Sequence, residues 1–390
     1  MRITGIRVRG GRLRHLSFVE VTTDEGLIGI GSAGSPSQVI APIAVDAPGS
    51  LLDLVRGEDP RDTEALWRRM FQGWQASRGR GGEGGLAVNA MAAVDMALWD
   101  LKGKIANEPL YRTLGGAVQP RVMAYASATA FTADSVTAGR WVQKSTEALV
   151  EECATYRRRG FKAVKFGWAN YFSPADAEKM AAIREALGPG VRLMFDFGCP
   201  AYWTPGWNVA AAVRAARILE KVDAYFFEEP MSPQDVEGHA ALAAVVDVNI
   251  STGESLSTLS EFRRYIERRA VDILQPDAAQ IGVTQFHAVA RSCEQAGILV
   301  VPHSPWSAVV VAAHLHLLSG IGNGPLVEYP APSLLEGSGG RITRLAHESI
   351  VERPLELRDG YLQPTDRPGL GLGNYVPEAL DEIEAVAAER

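Results

Sequence analysis

VRLMFDF (Val191–Phe197), AYFFEE (Ala224–Glu229), VNISTGE (Val248–Glu254), VDILQPD (Val271–Asp277) and ILVVPH (Ile298–His303) are five successive apolar runs, each with an acid or a histidine at or near its end. Their length and their content of β-branched and aromatic residues read as buried strands. RVMAYAS (Arg121–Ser127) and AVKFGW (Ala163–Trp168) precede them, and LVEY (Leu326–Tyr329) follows. Helical stretches fill the gaps, for example Asp176–Leu187, Val209–Leu219 and Thr284–Ala296. Eight strands with seven intervening helices are the signature of an α/β chain folded as a parallel barrel, (β/α)7β. Residues 121–329 span 209 positions, close to the roughly 200 residues at the lower end for that fold.

Outside this segment the texture differs. Ile3–Val8 alternates, and Leu16–Thr23 with Leu27–Ile30 reads as a hairpin turning on Asp24–Glu25–Gly26. From about Ala41 the pattern turns helical, and Asn89–Ile105 has apolar residues at three- and four-residue spacings. RGRGGEGG (Arg78–Gly85) is a cationic, glycine-rich loop, either a plain connector or a lid carrying Arg78 or Arg80 to an anionic substrate. PGLGLG (Pro368–Gly373) neither follows a strand nor opens a helix, so it is not read as a dinucleotide fingerprint.

Composition narrows the function classes. The 390 residues carry 39 Lys and Arg against 46 Asp and Glu, a net charge of −7. An acidic balance argues against nucleic acid or an anionic membrane as the main partner. Cys153, Cys199 and Cys293 are far apart and odd in number, which excludes a disulfide framework and a paired-cysteine metal site. MRITGIRVRGGRLRHLSF lacks the apolar core of a signal peptide, and the longest apolar stretch, Ala308–Leu318, is interrupted by His314 and His316. A cytoplasmic protein is expected.

The functional signal is positional. Asp196, Glu228, Glu254, Asp277, His303 and Glu328 close six consecutive strands at separations of 32, 26, 23, 26 and 25 residues, and Lys165 lies 31 residues before Asp196. In a closed barrel all seven project around one mouth, the face where barrel active sites are built. Taken singly, a strand-end carboxylate is commonly a helix cap and a histidine a structural residue. Gathered at one buried mouth, several carboxylates repel one another unless a cation neutralises them. An all-oxygen set of Asp and Glu suits Mg²⁺. A His and an Asp on neighbouring strands make a dyad in which the carboxylate orients the imidazole as a base. Base, divalent cation and lysine around one pocket suit removal of a proton next to a carboxylate, with the doubly negative enediolate stabilised electrostatically.

NAMAAVDMALWDLKGKIANEPLYRTLGG (Asn89–Gly116), FKAVKFGW, FFEEP, STGES, QPDAAQIGVT, VPHS, LVEYP and DGYLQPTDRPGLG together resemble the mandelate racemase subgroup of the enolase superfamily over nearly the whole chain. The resemblance implies a modified TIM-type (β/α)7β barrel (residues 121–350), an α+β capping domain (1–120) and a C-terminal segment (351–390) that returns to the cap. It implies Asp196, Glu228 and Glu254 as Mg²⁺ ligands, with Glu229 behind them. It makes His303 the general base, Asp277 its dyad partner, Glu328 a hydrogen-bonding partner of the substrate carboxylate, and Lys165 a further contact to that carboxylate. A homo-oligomer, dimer or octamer, is the expected assembly.

Two departures matter. Where the subgroup carries a second lysine as the base on the opposite substrate face, this chain has Gly167, and Gly198 replaces a polar residue two positions after the first ligand. One base suffices for dehydration of an acid sugar, an aldonate or aldarate, to a 2-keto-3-deoxy acid, and that is the expected reaction. An epimerase, racemase or cycloisomerase is the rival, and a carboxylate-binding barrel without turnover a more distant one. Trp168, Tyr171, Tyr202, Trp203 and Trp306 follow catalytic strands and either line the pocket or pack in loops. Arg14, His15 and the 71–82 region are the cap segments expected to read the distal end of the substrate.

Overall fold

The computed structural model describes residues 1–10, 16–78, 84–132, 142–168, 174–202, 204–304, 307–330 and 351–373. The chain opens with an antiparallel sheet of β1 (Ile3–Arg9), β2 (Ser17–Thr23) and β3 (Ile28–Ala33) in sequence order. The Asp24–Gly26 turn joins β2 to β3, with Gly26 supplying the left-handed residue at φ 82°. Short helices α1 (Ser37–Ala41) and α2 (Leu51–Val55) lead to α3 (Thr63–Arg78), α4 (Leu86–Ala106) and α5 (Leu110–Thr113).

Helix α4 is buried on nearly every side, as its Ala- and Leu-rich sequence requires. One side packs on β3 at closest approach. A Cβ at Gly31 would lie 1.9 Å from the Ala93 carbonyl oxygen, and one at Gly29 would lie 2.1 Å from that of Ala97. Only glycine fits there.

The barrel follows as β4 (Val122–Thr129), β5 (Ala163–Gly167), β6 (Arg192–Asp196), β7 (Ala224–Glu228), β8 (Asn249–Thr252), β9 (Ile273–Leu274), β10 (Leu299–Val300) and β11 (Leu326–Pro330). All eight pair in parallel, in the order β10-β9-β8-β7-β6-β5-β4-β11, a near-closed barrel. The crossover helices are α6 (Thr146–Arg158), α7 (Pro174–Leu187), α8 (Val209–Lys221), α9 (Val236–Ala243), α10 (Leu259–Arg268), α11 (Ala278–Ala296) and α12 (Ala308–Ser319). Inside the barrel Tyr125, Ala163, Met194, Phe226, Ile273, Val301 and Leu326 form a solid apolar plug. Two residues further along each strand the inward position becomes polar, and the site begins.

The tail adds β12 (Tyr361–Leu362), antiparallel to β4, which the sequence reading did not foresee. It then runs back to the N-terminal unit. Leu110 N donates to Gly369 O (2.8 Å), Tyr111 Oη to Asp366 (2.5 Å) and Leu370 N to Asp100 Oδ1 (2.8 Å). The other Asp100 oxygen accepts from Ile30 N (3.0 Å), so one buried carboxylate ties β3, α4 and the tail together. Among the described residues no helix is long and apolar enough to cross a membrane.

Candidate active site

Strand alternation aims Lys165, Asp196 and Glu228 inward from β5, β6 and β7, and the β5–β6–β7 register sets Gly167, Asp196 and Glu228 side by side. Glu254 joins them from the loop after β8. One carboxylate oxygen each of Asp196, Glu228 and Glu254 lies within 4.8 Å of the others. The Lys165 ammonium stands beside them, 2.8 and 3.0 Å from the two oxygens of Glu228, 3.2 Å from Glu328 and 3.9 Å from Asp196. Glu328 also accepts from Ser304 N at 2.6 Å. Exposure separates floor from wall. Lys165, Glu228, Glu328 and Asp277 are sealed, whereas the side chains of Asp196, Glu254 and His303 remain 23%, 31% and 12% exposed and face the mouth.

Burial pushes the Glu228 carboxyl well above the ordinary range, an effect that Lys165 opposes and neighbouring Asp196, Glu254 and Glu328 increase. Glu254 is raised for the same first reason. Burial works to raise Glu328 as well, but Lys165 and His303 outweigh it and hold the group at about 2. Lys165 is kept charged by Glu228 and Glu328 in spite of its burial. The carboxylates thus repel one another beyond what a single ammonium relieves. Glu228 Oε2, fully buried, accepts no aligned hydrogen bond even with the ammonium close by. An all-oxygen donor set with surplus negative charge fits a hard divalent cation.

On the next strands His303 Nδ1 meets Asp277 Oδ2 at 2.9 Å, and its Nε2 lies 3.5 Å from Glu254 Oε2. The Asp277 bond assigns the neutral ring's proton to Nδ1 and leaves the Nε2 lone pair towards the carboxylate triad. Burial works to lower the His303 pKa, but Glu254, the Asp277 hydrogen bond and Glu328 together push it up to about 10. Asp277 also caps α11, accepting from Ala279 N at 2.8 Å through Oδ1. Its two oxygens are therefore divided between the helix and the imidazole. Behind it, His314 Nε2 accepts from Ala278 N at 2.8 Å, and burial holds this second histidine neutral, down to about 4.

Helix α11 breaks at Gly282 (φ 73°, ψ 170°), where a Cβ would lie 2.7 Å from Asp95 Oδ2. Asp95 of α4 fills the break, accepting from Thr284 N (2.8 Å) and Thr284 Oγ1 (2.6 Å).

The structure therefore brings together all seven residues singled out from the strand ends. Gly167 leaves a gap beside Asp196, where a Cβ would meet nothing nearer than Ala128 O at 3.6 Å. Gly198, at φ 53°, donates its N–H to Asp196 Oδ1 at 2.8 Å. Trp168 does not line the pocket. It is fully buried against Phe195 and its indole donates to Asp176. Tyr202 is exposed, its hydroxyl 3.2 Å from Ser232. Arg14, His15, Arg80, Tyr171, Trp203 and Trp306 lie outside the described residues, and Arg78 is described only as the end of α3. At the exit of the glycine-rich stretch, Gly85 N donates to Ser257 Oγ (2.9 Å), three residues after Glu254. Residues that sequence reasoning missed are His314, Asp95, Cys199 and Thr252. The first two were visible only as polar interruptions of apolar helical runs.

Residues 148–374 match the family described as enolase C-terminal domain-like, and residues 9–115 match the mandelate racemase/muconate lactonizing enzyme N-terminal domain. The chain is 30% identical to the L-talarate/galactarate dehydratase of Salmonella typhimurium, over 95% of this chain and 84% of the relative. It is 29% identical to the D-galactarolactone cycloisomerase of Agrobacterium fabrum, over 94% and 90%. Among solved structures, a racemase from Streptomyces coelicolor with bound magnesium superposes with a TM-score of 0.79 at 25% identity, covering 98% of this chain and 99% of the other.

Proposed function

We propose that this chain, which belongs to the mandelate racemase/muconate lactonizing enzyme family of the enolase superfamily, removes the proton α to a carboxylate and dehydrates an acid sugar to a 2-keto-3-deoxy acid. The observation that carries the reading is, among the described residues, a base on one side of the pocket and none at the position opposite it. His303, oriented by Asp277, faces the carboxylate triad, while a glycine stands at position 167. Relatives with dehydratase names support it.

Asp196, Glu228 and Glu254 would hold Mg²⁺, which supplies positive charge where the substrate carboxylate turns into an enediolate. The rest is the work of the chain's own side chains. Lys165 binds and orients the substrate carboxylate from the sealed floor; Glu328, fixed by Ser304 N, holds the Lys165 ammonium as the anion and can hydrogen-bond the developing enediolate only in its protonated form. His303 takes the α-proton on Nε2, and Asp277 stabilises the resulting imidazolium through Nδ1. In a syn elimination the same imidazolium returns its proton to the departing β-hydroxide, so water leaves and no second base is needed. The cap, residues 1–120 with the 351–390 tail, closes over the 121–350 barrel and reads the distal end of the substrate. Contacts from Gly85 to Ser257 and between Ser32 and Ser307 (3.3 Å) support that placement.

A second reading, cycloisomerisation of a carboxylate substrate, is favoured by relatives bearing cycloisomerase names and shares the first proton transfer. Incubation with Mg²⁺ and a library of mono- and diacid sugars, read by semicarbazide absorbance, tests the choice. Ketone product from at least one acid supports dehydration. A blank across the library, with α-proton exchange but no ketone, would move the reaction to isomerisation.

A further inference from the structure

Behind the carboxylate triad lies a second buried carboxylate that the proposed chemistry does not use. Glu229 follows Glu228 directly and is buried, and it occupies the left-handed region at φ 49°, sparsely populated by residues with a Cβ. Cys199, on the neighbouring strand end, does the same at φ 57°. Their main chains are joined by Cys199 N to Glu229 O (3.0 Å), and Glu229 N donates to Ser251 O (2.9 Å). The side chain then makes two bonds in opposite directions. Glu229 Oε2 accepts from the Cys199 thiol at 2.5 Å, and Oε1 accepts from Thr252 Oγ1 at 3.0 Å. Both donors are buried.

Each anchor sits close in sequence to a different ligand of the triad. Cys199 lies three residues after Asp196, in the turn whose Gly198 N–H clamps Asp196 Oδ1 at 2.8 Å. Thr252 lies two residues before Glu254, and Glu229 adjoins Glu228. One carboxylate thus ties together the ends of β6, β7 and β8, the three elements that carry the triad. Left-handed backbone at two adjacent non-glycine positions persists only where the surroundings over-determine it.

We propose that Cys199, Glu229 and Thr252 form a brace of positioning residues that fixes the spacing of Asp196, Glu228 and Glu254 for a small, octahedral divalent cation. The inference rests on the reading that this triad holds Mg²⁺. Mg²⁺ demands near-ideal geometry at about 2.1 Å, whereas Ca²⁺ accepts about 2.3–2.6 Å and irregular coordination, so a loosened brace penalises the smaller ion more.

The test is competition for the metal, with no substrate present. Wild-type protein is titrated with Mn²⁺ by electron paramagnetic resonance, and bound Mn²⁺ is displaced with Mg²⁺ or Ca²⁺. Cys199→Ala and Thr252→Val each remove one donor, and Cys199→Ser retains it. The expected result is a loss of Mg²⁺ affinity of roughly 10–100-fold in the Ala and Val variants, with a smaller loss for Ca²⁺, and recovery in the Ser variant. Unchanged Mg²⁺ affinity in both, or equal losses for the two ions accompanied only by a lower melting temperature, would overturn the brace. Should Cys199→Ala fail to fold, Thr252→Val supplies the same comparison. Absence of Mn²⁺ binding by the wild type is a different result, which defeats the metal reading itself.

Discussion

Loading the carboxylate triad with a divalent cation is expected to strip the proton from His303. In the cation-free chain Glu254, 3.5 Å from Nε2, is the strongest of the groups that lift this imidazole to about 10 against the effect of its burial. At that separation and an effective dielectric of about 20, a unit charge pair is worth roughly 5 kcal/mol, or between three and four pH units. A cation that neutralises Glu254 removes most of this and brings His303 back down towards its ordinary range, with the Asp277 hydrogen bond retained. The sign follows from the direction of the shift. A histidine raised above its ordinary 6.5 stays protonated through neutral pH and cannot accept a proton, so the cation converts it from acid to base. With Mg²⁺ bound, turnover should rise with pH well below the cation-free value of about 10 and decline as the imidazole takes up its proton. Long-range proton–nitrogen NMR of the imidazole, with and without saturating Mg²⁺, reads the change directly. Calorimetry at pH 8 in two buffers of different ionisation heat should find about one more proton released by the wild type than by His303→Asn. An imidazole that titrates at the same pH with and without Mg²⁺ would refute the electrostatic reasoning.

Three further outcomes follow from the same geometry. His303→Asn should lower turnover by about 10³-fold or more without weakening Mg²⁺ binding, which tightens near neutral pH because no imidazolium must first lose its proton, and a loss of turnover of less than about tenfold would place the base elsewhere. Gly167→Lys should fold, since a Cβ there meets nothing nearer than 3.6 Å, and should acquire epimerisation of the α-carbon, measured as appearance of the inverted diastereomer by NMR; a well-folded variant without it would mean that position 167 does not face the substrate. Asp95, raised from 3.8 to about 7 chiefly by burial and against the Thr284 bonds, contributes stability that is fully present below pH 3.8 and is lost as pH rises through about 7. That loss amounts to about 4 kcal/mol at most. Urea unfolding at pH 4.5, 6 and 8 should show a flatter pH dependence in Asp95→Asn, and an unchanged slope would assign the titration to another group.

The eight barrel strands and the seven strand-end residues were legible because apolar runs closing on an acid recur at the spacing of one βα unit, and side-chain alternation then fixes which residues share the mouth. Helix α4 was legible in its apolar residues at three- and four-residue spacings; its burial on nearly every side was not. Other features carry no local signal. Two residues, Tyr361 and Leu362, extend the sheet through a pairing with β4 more than 200 positions away. Trp168 looks the same in sequence whether it faces substrate or core; its contacts with Phe195 and Asp176, distant in sequence or across a loop, decide. The helical stretch Thr284–Ala296 evident in the sequence is the second half of α11, whose break at Gly282 is filled by Asp95 of α4. Left-handed backbone at Cys199 and Glu229 is announced by no residue preference, so the brace behind the triad emerges only from the folded chain.

The proposed chemistry turns on abstraction by His303 of a proton α to a carboxylate. It is tested most directly by proton NMR in D₂O, with Mg²⁺ and the acid sugar that gives the strongest ketone signal, comparing wild type with His303→Asn. Loss of the α-proton resonance at the rate of product formation in the wild type, and its persistence in the variant, is the expected result. Product formed at an undiminished rate by His303→Asn, or an α-proton retained through wild-type turnover, would contradict it.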